Sequence, residues 1–91
     1  MIREVVWTAQ FKKDYKLADK RGRDIARIDN CIRMLAAGKQ LTPKYRDHSL
    51  SGRWSGHREC HIEPDWLLIY RIEGNDLILI LARTGSHSDL F

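Results

Sequence analysis

All four histidines of the chain, His48, His57, His61 and His87, fall in its second half. Three of them sit among residues that can do chemistry. These are Asp47-His48, His61-Ile62-Glu63-Pro64-Asp65-Trp66 and Arg83-Thr84-Gly85-Ser86-His87, with Phe91 just beyond. Imidazole gives and takes protons near neutral pH, its unperturbed pKa being about 6.5. A small basic chain that gathers His, Asp and Arg is a candidate for acid–base work on a phosphate. Such work needs a base for the attacking group, an acid for the departing oxygen, and a cation for the crowded phosphorus centre. Imidazoles suit the first two tasks. Arg83 suits the third, because a guanidinium stays charged and grips two phosphate oxygens. Asp65 can hold a neighbouring imidazole in one tautomer or share in proton transfer. Trp66 and Phe91 offer faces on which an unstacked base can rest. Taken singly, each has an ordinary role: His61 as a strand residue, Asp65 as a turn residue after Pro64, Arg83 as a partner of Asp89, His48 as a loop donor. His57 reads as a surface residue. The chemistry therefore depends on whether the segments converge.

The elements that must position them follow from pattern. Ile2–Trp7 alternates weakly and reads as a first strand. Thr8 is an N-cap for a helix with Phe11, Tyr15 and Ala18 on one face, ended by Gly22. Asp24 caps a second helix, in which Ile25, Ile28, Ile32 and Leu35 recur at helical spacing before Gly38. So short a break predicts an antiparallel helical hairpin. Lys39–Arg53 lacks periodicity and reads as a long loop. Strands follow over Trp54–Ile62, with a break at Gly56, Trp66–Ile72 and Leu77–Arg83.

Gly74-Asn75 fits a two-residue hairpin turn, which pairs Ile72 with Leu77, Tyr70 with Leu79, Leu68 with Leu81 and Trp66 with Arg83. A second tight turn at Pro64-Asp65 pairs His61 with Leu68. Paired residues share a face, so this register puts His61, Trp66 and Arg83 together at one sheet end, near Asp65 and His87. A one-residue slip would undo it. The register also makes both sheet faces apolar: Leu68, Tyr70, Ile72, Leu77, Leu79 and Leu81 on one, Leu67, Ile69, Ile78 and Ile80 on the other. One helical hairpin covers only one face. The other needs the 39–53 loop and sheet curvature, or a partner chain.

With 91 residues the chain is long enough for one domain, 1–91. Its two cysteines, Cys31 and Cys60, form no C-x-x-C motif and read as buried thiols of a reducing cytosol. The longest apolar runs are too short to span a bilayer. These features predict a soluble, cytoplasmic protein. The net charge of +4 is unevenly spread. Residues 1–46 hold twelve Lys/Arg against five Asp/Glu, and residues 47–91 hold four Arg against seven Asp/Glu. The run Lys12, Lys13, Lys16, Lys20, Arg21 and Arg23 favours a polyanionic partner.

The stretches Asp47-His48-Ser49-Leu50-Ser51-Gly52-Arg53-Trp54, Arg58-Glu59-Cys60-His61-Ile62-Glu63-Pro64-Asp65-Trp66-Leu67-Leu68-Ile69-Tyr70 and Arg83-Thr84-Gly85-Ser86-His87-Ser88-Asp89-Leu90-Phe91 together resemble the YafQ family. These are toxins of bacterial type II toxin–antitoxin pairs within the RelE/ParE superfamily. The resemblance spans the chain in length and element order and is dense from Tyr45 onward; the N-terminal helices match in pattern alone. It implies an α+β fold, with an N-terminal strand and an antiparallel two-helix hairpin packed on a small, mostly antiparallel twisted sheet. It also implies an endoribonuclease that enters the ribosomal A site and cuts mRNA with no metal or other cofactor. The family's catalytic set falls on His48, His61, Asp65 and His87. Trp66, Arg83 and Phe91 fall on positions that support the site or contact the RNA.

Two other readings compete. ParE-like toxins of the same fold act on DNA gyrase, a role that calls for no clustered proton-transfer groups. His48, His61, Asp65 and His87 can also be read as metal ligands, although no two of the histidines have the close spacing of common helical sites. An mRNA-cutting toxin has to be silenced. The reading therefore includes a cognate antitoxin that forms a hetero-oligomer by covering the basic helical half or the apolar sheet face.

Overall fold

The computed structural model of the chain describes residues 2–91. Strand β1 (Glu4–Trp7) leads into helix α1 (Ala9–Lys20), then α2 (Ile25–Ala36). Thr8 Oγ1 accepts from the Phe11 N–H and Asp24 Oδ1 from the Ala26 N–H, so both expected N-caps form. Gly22 and Gly38 take positive φ (80° and 75°) beyond the helix ends, where a Cβ would be strained. The Tyr15 hydroxyl donates to Asp29 Oδ1 at 2.7 Å, joining residues placed symmetrically about Gly22 as an antiparallel hairpin requires.

The expected long loop carries more structure than its sequence suggests. It contains two 3₁₀ turns, Pro43–Tyr45 and Gly52–Trp54, and between them a two-residue strand, β2 (His48–Ser49). β3 (Arg58–Glu63), β4 (Trp66–Glu73) and β5 (Ile78–Gly85) follow, and a short helix α3 (His87–Leu90) closes the fold. The five strands form one sheet in the order β1-β5-β4-β3-β2. β1 runs parallel to β5 and the other pairs are antiparallel.

The hairpin register differs from the sequence expectation. Ile72 pairs with Leu79 and Tyr70 with Leu81, two residues away from the expected partners. The turn is four residues long because Gly74, Asn75 and Asp76 all adopt positive φ (61°, 57° and 69°). A bulge at Ala82 then shifts the pairing again, so that Ile69 meets Arg83 and Leu68 meets Thr84. The Pro64-Asp65 turn forms as expected, with Glu63 opposite Trp66. An extra residue at Ile62 makes Leu67, not Leu68, the partner of His61. Trp66, His61 and Arg83 thus do not share a face through this register.

Both sheet faces are covered. Phe11, Ala18, Ile28, Cys31, Ile32 and Leu35 of the helices pack on Cys60, Trp66, Leu68, Tyr70, Leu79 and Leu81. On the opposite face Leu67 and Ile69 are fully buried under Leu90 of α3, with Leu50, Trp54 and Ala82 beside them. The 39–53 region and the C-terminal helix therefore cover much of this face. No helix of the described residues is long and apolar enough to cross a membrane.

Candidate active site

The structure brings three imidazoles into a row. The His48 and His61 ring centroids lie 6.3 Å apart, and those of His61 and His87 lie 6.0 Å apart. Each comes from a different element: His48 from β2, His61 from β3 beside its bulge, His87 from the first turn of α3.

Each imidazole is anchored through Nδ1. His48 Nδ1 lies 2.7 Å from the Arg46 carbonyl, His61 Nδ1 3.2 Å from the Pro64 carbonyl, and His87 Nδ1 2.9 Å from Asp65 Oδ1. Carbonyl and carboxylate oxygens only accept, so the hydrogen in all three contacts belongs to Nδ1. Among the described residues, that leaves Nε2 as the nitrogen without a hydrogen bond in each ring. Two of these atoms face the same group: His48 Nε2 is 3.7 Å and His61 Nε2 3.5 Å from Glu59 Oε1. Glu59 is only 4% exposed. The sequence reading did not single it out. The signal available was an acidic residue two positions before His61, on the same strand face.

Local structure explains the placement of His48. Arg46 adopts the left-handed region (φ 49°, ψ 41°), which turns its carbonyl onto the imidazole. The neighbouring Asp47 carboxylate accepts from Arg58 Nε at 2.8 Å and from the Tyr70 hydroxyl, pinning the segment to β3 and β4. Burial and the bond to Asp47 push the Tyr70 phenol above its ordinary range. His48 also pairs with Glu59 across β2 and β3. It belongs to a strand and not, as expected, to a loop.

His87 is set by the start of α3. Ser86 caps that helix, and the Asp89 side chain accepts from the Ser86 N–H in return. Asp65 Oδ1 accepts from both the His87 N–H, at 3.0 Å, and its Nδ1. The backbone N–H first, and then the imidazole, hold the Asp65 carboxyl below its usual range. Phe91 is 61% exposed, with its ring 6.2 Å from that of His87.

Trp66 and Arg83 are placed differently from the sequence expectation. Trp66 is fully buried, so its ring offers no open face for a base. Its Nε1–H donates to Thr84 Oγ1 at 2.9 Å, and the Thr84 hydroxyl donates to the Leu67 carbonyl at 2.6 Å. Its indole therefore ties β4 to the end of β5. Arg83 pairs not with Asp89 but with Asp14 of α1, its Nε and Nη2 donating at 2.8 and 3.2 Å. Those bonds raise its pKa and tie the strand that leads to His87 onto α1. Asp89 pairs instead with Arg21. His57 stacks edge-on against Trp54, away from the row. Among the described residues, no group of three or more His, Cys, Asp or Glu side chains is arranged to hold a metal ion.

A family profile described as "Bacterial toxin of type II toxin-antitoxin system, YafQ" matches residues 3–91. The chain is 40% identical over 90 residues to the mRNA interferase toxin YafQ of Escherichia coli K12, an alignment covering 98% of this chain and 96% of that protein. It superposes on the toxin of the E. coli DinJ–YafQ toxin–antitoxin complex with a TM-score of 0.91, at 39% identity over 100% of this chain and 99% of that one. A metal-bound toxin from Helicobacter pylori matches with a TM-score of 0.88, at 41% identity over 100% of both chains. The chain belongs to the YafQ family of bacterial toxins of type II toxin–antitoxin systems.

Proposed function

We propose that this chain is an mRNA interferase, an endoribonuclease that cuts translated mRNA by 2′-OH attack and so stops translation. The observation that carries the reading is the row of three imidazoles, each with Nδ1–H fixed on oxygen and Nε2 free of a hydrogen bond among the described residues. In the reaction one Nε2 takes the 2′-OH proton as the 2′-oxygen bonds to phosphorus. A second, protonated imidazole gives its proton to the 5′-oxygen as the P–O5′ bond breaks, leaving a 2′,3′-cyclic phosphate and a 5′-hydroxyl. His87, oriented by Asp65, takes one role and His48 or His61 the other. Glu59 is the acceptor that a protonated Nε2 of His48 or His61 faces. Phe91 supplies the open aromatic face for an unstacked base. Arg83, held by Asp14, fixes the end of β5.

In the cytoplasm the substrate is mRNA in the ribosomal A site, and the ribosome supplies part of its alignment. The partner that silences the toxin is a cognate antitoxin, as in the DinJ–YafQ complex. Its acidic segment covers the basic helices, since both sheet faces are already covered within the chain. A pull-down with the antitoxin encoded beside this chain tests that part, and absence of affinity overturns it.

The decisive experiment induces wild type and His87→Ala in cells and maps mRNA 5′ ends. In-frame cuts that vanish in the variant support the reading. Growth arrest without cuts favours a gyrase-directed toxin instead. Because one relative was solved with metal bound, cleavage is also measured in chelator. Activity that survives chelation supports metal-free acid–base chemistry, and activity restored only by added metal overturns it.

A further inference from the structure

Beside His61 lies a cavity of about 440 Å³, within the range of roughly 300–1,000 Å³ typical of ligand sites. Its walls come from three elements: Arg27 and Asn30 of α2, Lys44 and Arg46 of the 3₁₀ turn region, and His61 with Glu63 and Pro64 at the end of β3. The acidic wall residue is already compensated, since Glu63 lies 3.5 Å from Arg27 and 3.8 Å from Arg23. Lys44 and Arg46 are exposed, and among the described residues neither side chain has an ion-pair or hydrogen-bond partner. Tyr45, nearly buried, lies beneath the Lys44 ammonium at 5.4 Å and supports it by a cation–π contact.

The cavity is continuous with the candidate catalytic row. His61 is one of its walls, and Arg46 both lines it and holds His48 through its carbonyl. Arg46 does so in a left-handed conformation unfavourable to a side-chain-bearing residue. A lobe with two uncompensated cations, opening onto histidines placed to cut a phosphodiester, fits the polyanionic continuation of the same strand.

We infer that Lys44 and Arg46 form a phosphate-binding subsite for a nucleotide flanking the one that is cut. They would seat the RNA so that the scissile phosphate meets His48, His61 and His87. The inference rests on the ribonuclease reading above and adds binding residues that the catalytic set does not contain. Both are substrate-binding residues, and their loss should raise the toxin concentration needed for half-maximal cleavage while changing the saturated rate little.

The test uses ribosomes programmed with mRNA whose linkages around the cut codon are replaced, one at a time, by neutral methylphosphonates. Single-turnover cleavage is followed against toxin concentration for wild type and for the Lys44→Gln/Arg46→Gln variant. A charge-assisted bond is worth enough to shift half-saturation by roughly tenfold to a hundredfold. Wild type should show that shift at one flanking linkage. The variant should be weakened on all-phosphate mRNA, lose nothing more at that linkage, and melt at the wild-type temperature. Lys44→Arg/Arg46→Lys should restore binding. If the variant and methylphosphonate effects multiply at every linkage, or if wild type ignores every neutral linkage, the subsite is overturned while the ribonuclease reading stands. If wild type makes no cuts at all, the ribonuclease reading fails and takes the subsite with it.

Discussion

Three imidazoles have committed their Nδ1 hydrogens to oxygen, which presents the same nitrogen, Nε2, from three elements. We therefore expect long-range ¹⁵N–¹H spectra of the neutral rings to show Nδ1–H at His48 and His61, and an Nε2–H tautomer at either would contradict the geometry. Glu59→Gln keeps the shape and removes the charge that both Nε2 atoms face. Cleavage should slow by about tenfold to a hundredfold, within the range of a lost acid–base contribution, with helical content unchanged. The link between Asp65 and His87 is pH-dependent in a defined direction. The Asp65 carboxyl is depressed in the folded chain, so its stabilising bonds are complete above the ordinary value of about 3.9. They are lost as pH falls through the lower folded value. Carboxyl ¹³C titration should find Asp65 below that ordinary value. In His87→Ala the midpoint should return only part of the way, because the backbone N–H, the larger cause, remains.

The elements that position these residues are governed by small departures from regularity. A bulge at Ala82 and an extra residue at Ile62 set which side chains face which way, and a four-residue turn replaces the expected two-residue one. The helices were legible because their signals are local: Thr8, Gly22, Asp24 and Gly38 sit where caps and stops belong. The register was not, because Gly74-Asn75 opens a two-residue and a longer turn equally well and a bulge leaves no compositional mark. β2 was hidden for a related reason, since two residues carry no period and pair with β3 across an irregular connection. Trp66 is the clearest case. Its type suits base stacking and its spacing placed it at the site, yet burial makes it the tie between β4 and β5. Trp66→Phe should lower stability by about 1–3 kcal/mol through the lost bond to Thr84, read as a drop in melting temperature. Gly85→Ala acts on the next element. A Cβ there would sit 2.9 Å from Asp89 Cβ, so α3 must shift. A cost of about 1–3 kcal/mol is expected, and amide chemical-shift changes should concentrate at His87–Phe91.

At the scale of the molecule, the core that joins helices to sheet has a chemical marker. Cys31 and Cys60 are both fully buried, with Sγ atoms 3.6 Å apart between α2 and β3. The mutual thiol contact, then burial, pushes Cys60 far above the ordinary thiol range, and it is the thiolate that reacts. Both thiols should resist alkylation by iodoacetamide in the native chain and react when it unfolds. Rapid native labelling would mean that α2 opens away from β3.

The parallel pairing of β1 with β5 has a consequence for synthesis. Among the described residues the strand partner of Glu4–Trp7 is Ile78–Gly85, which is translated some seventy residues after it. Pairing across so long a separation waits until both long helices and the intervening strands have been made. The residues that close the sheet also run directly into Ser86 and His87, so the sheet is completed in the same stretch of translation that delivers the last imidazole. A nascent chain of this protein therefore cannot assemble its candidate catalytic row until β5 has been made.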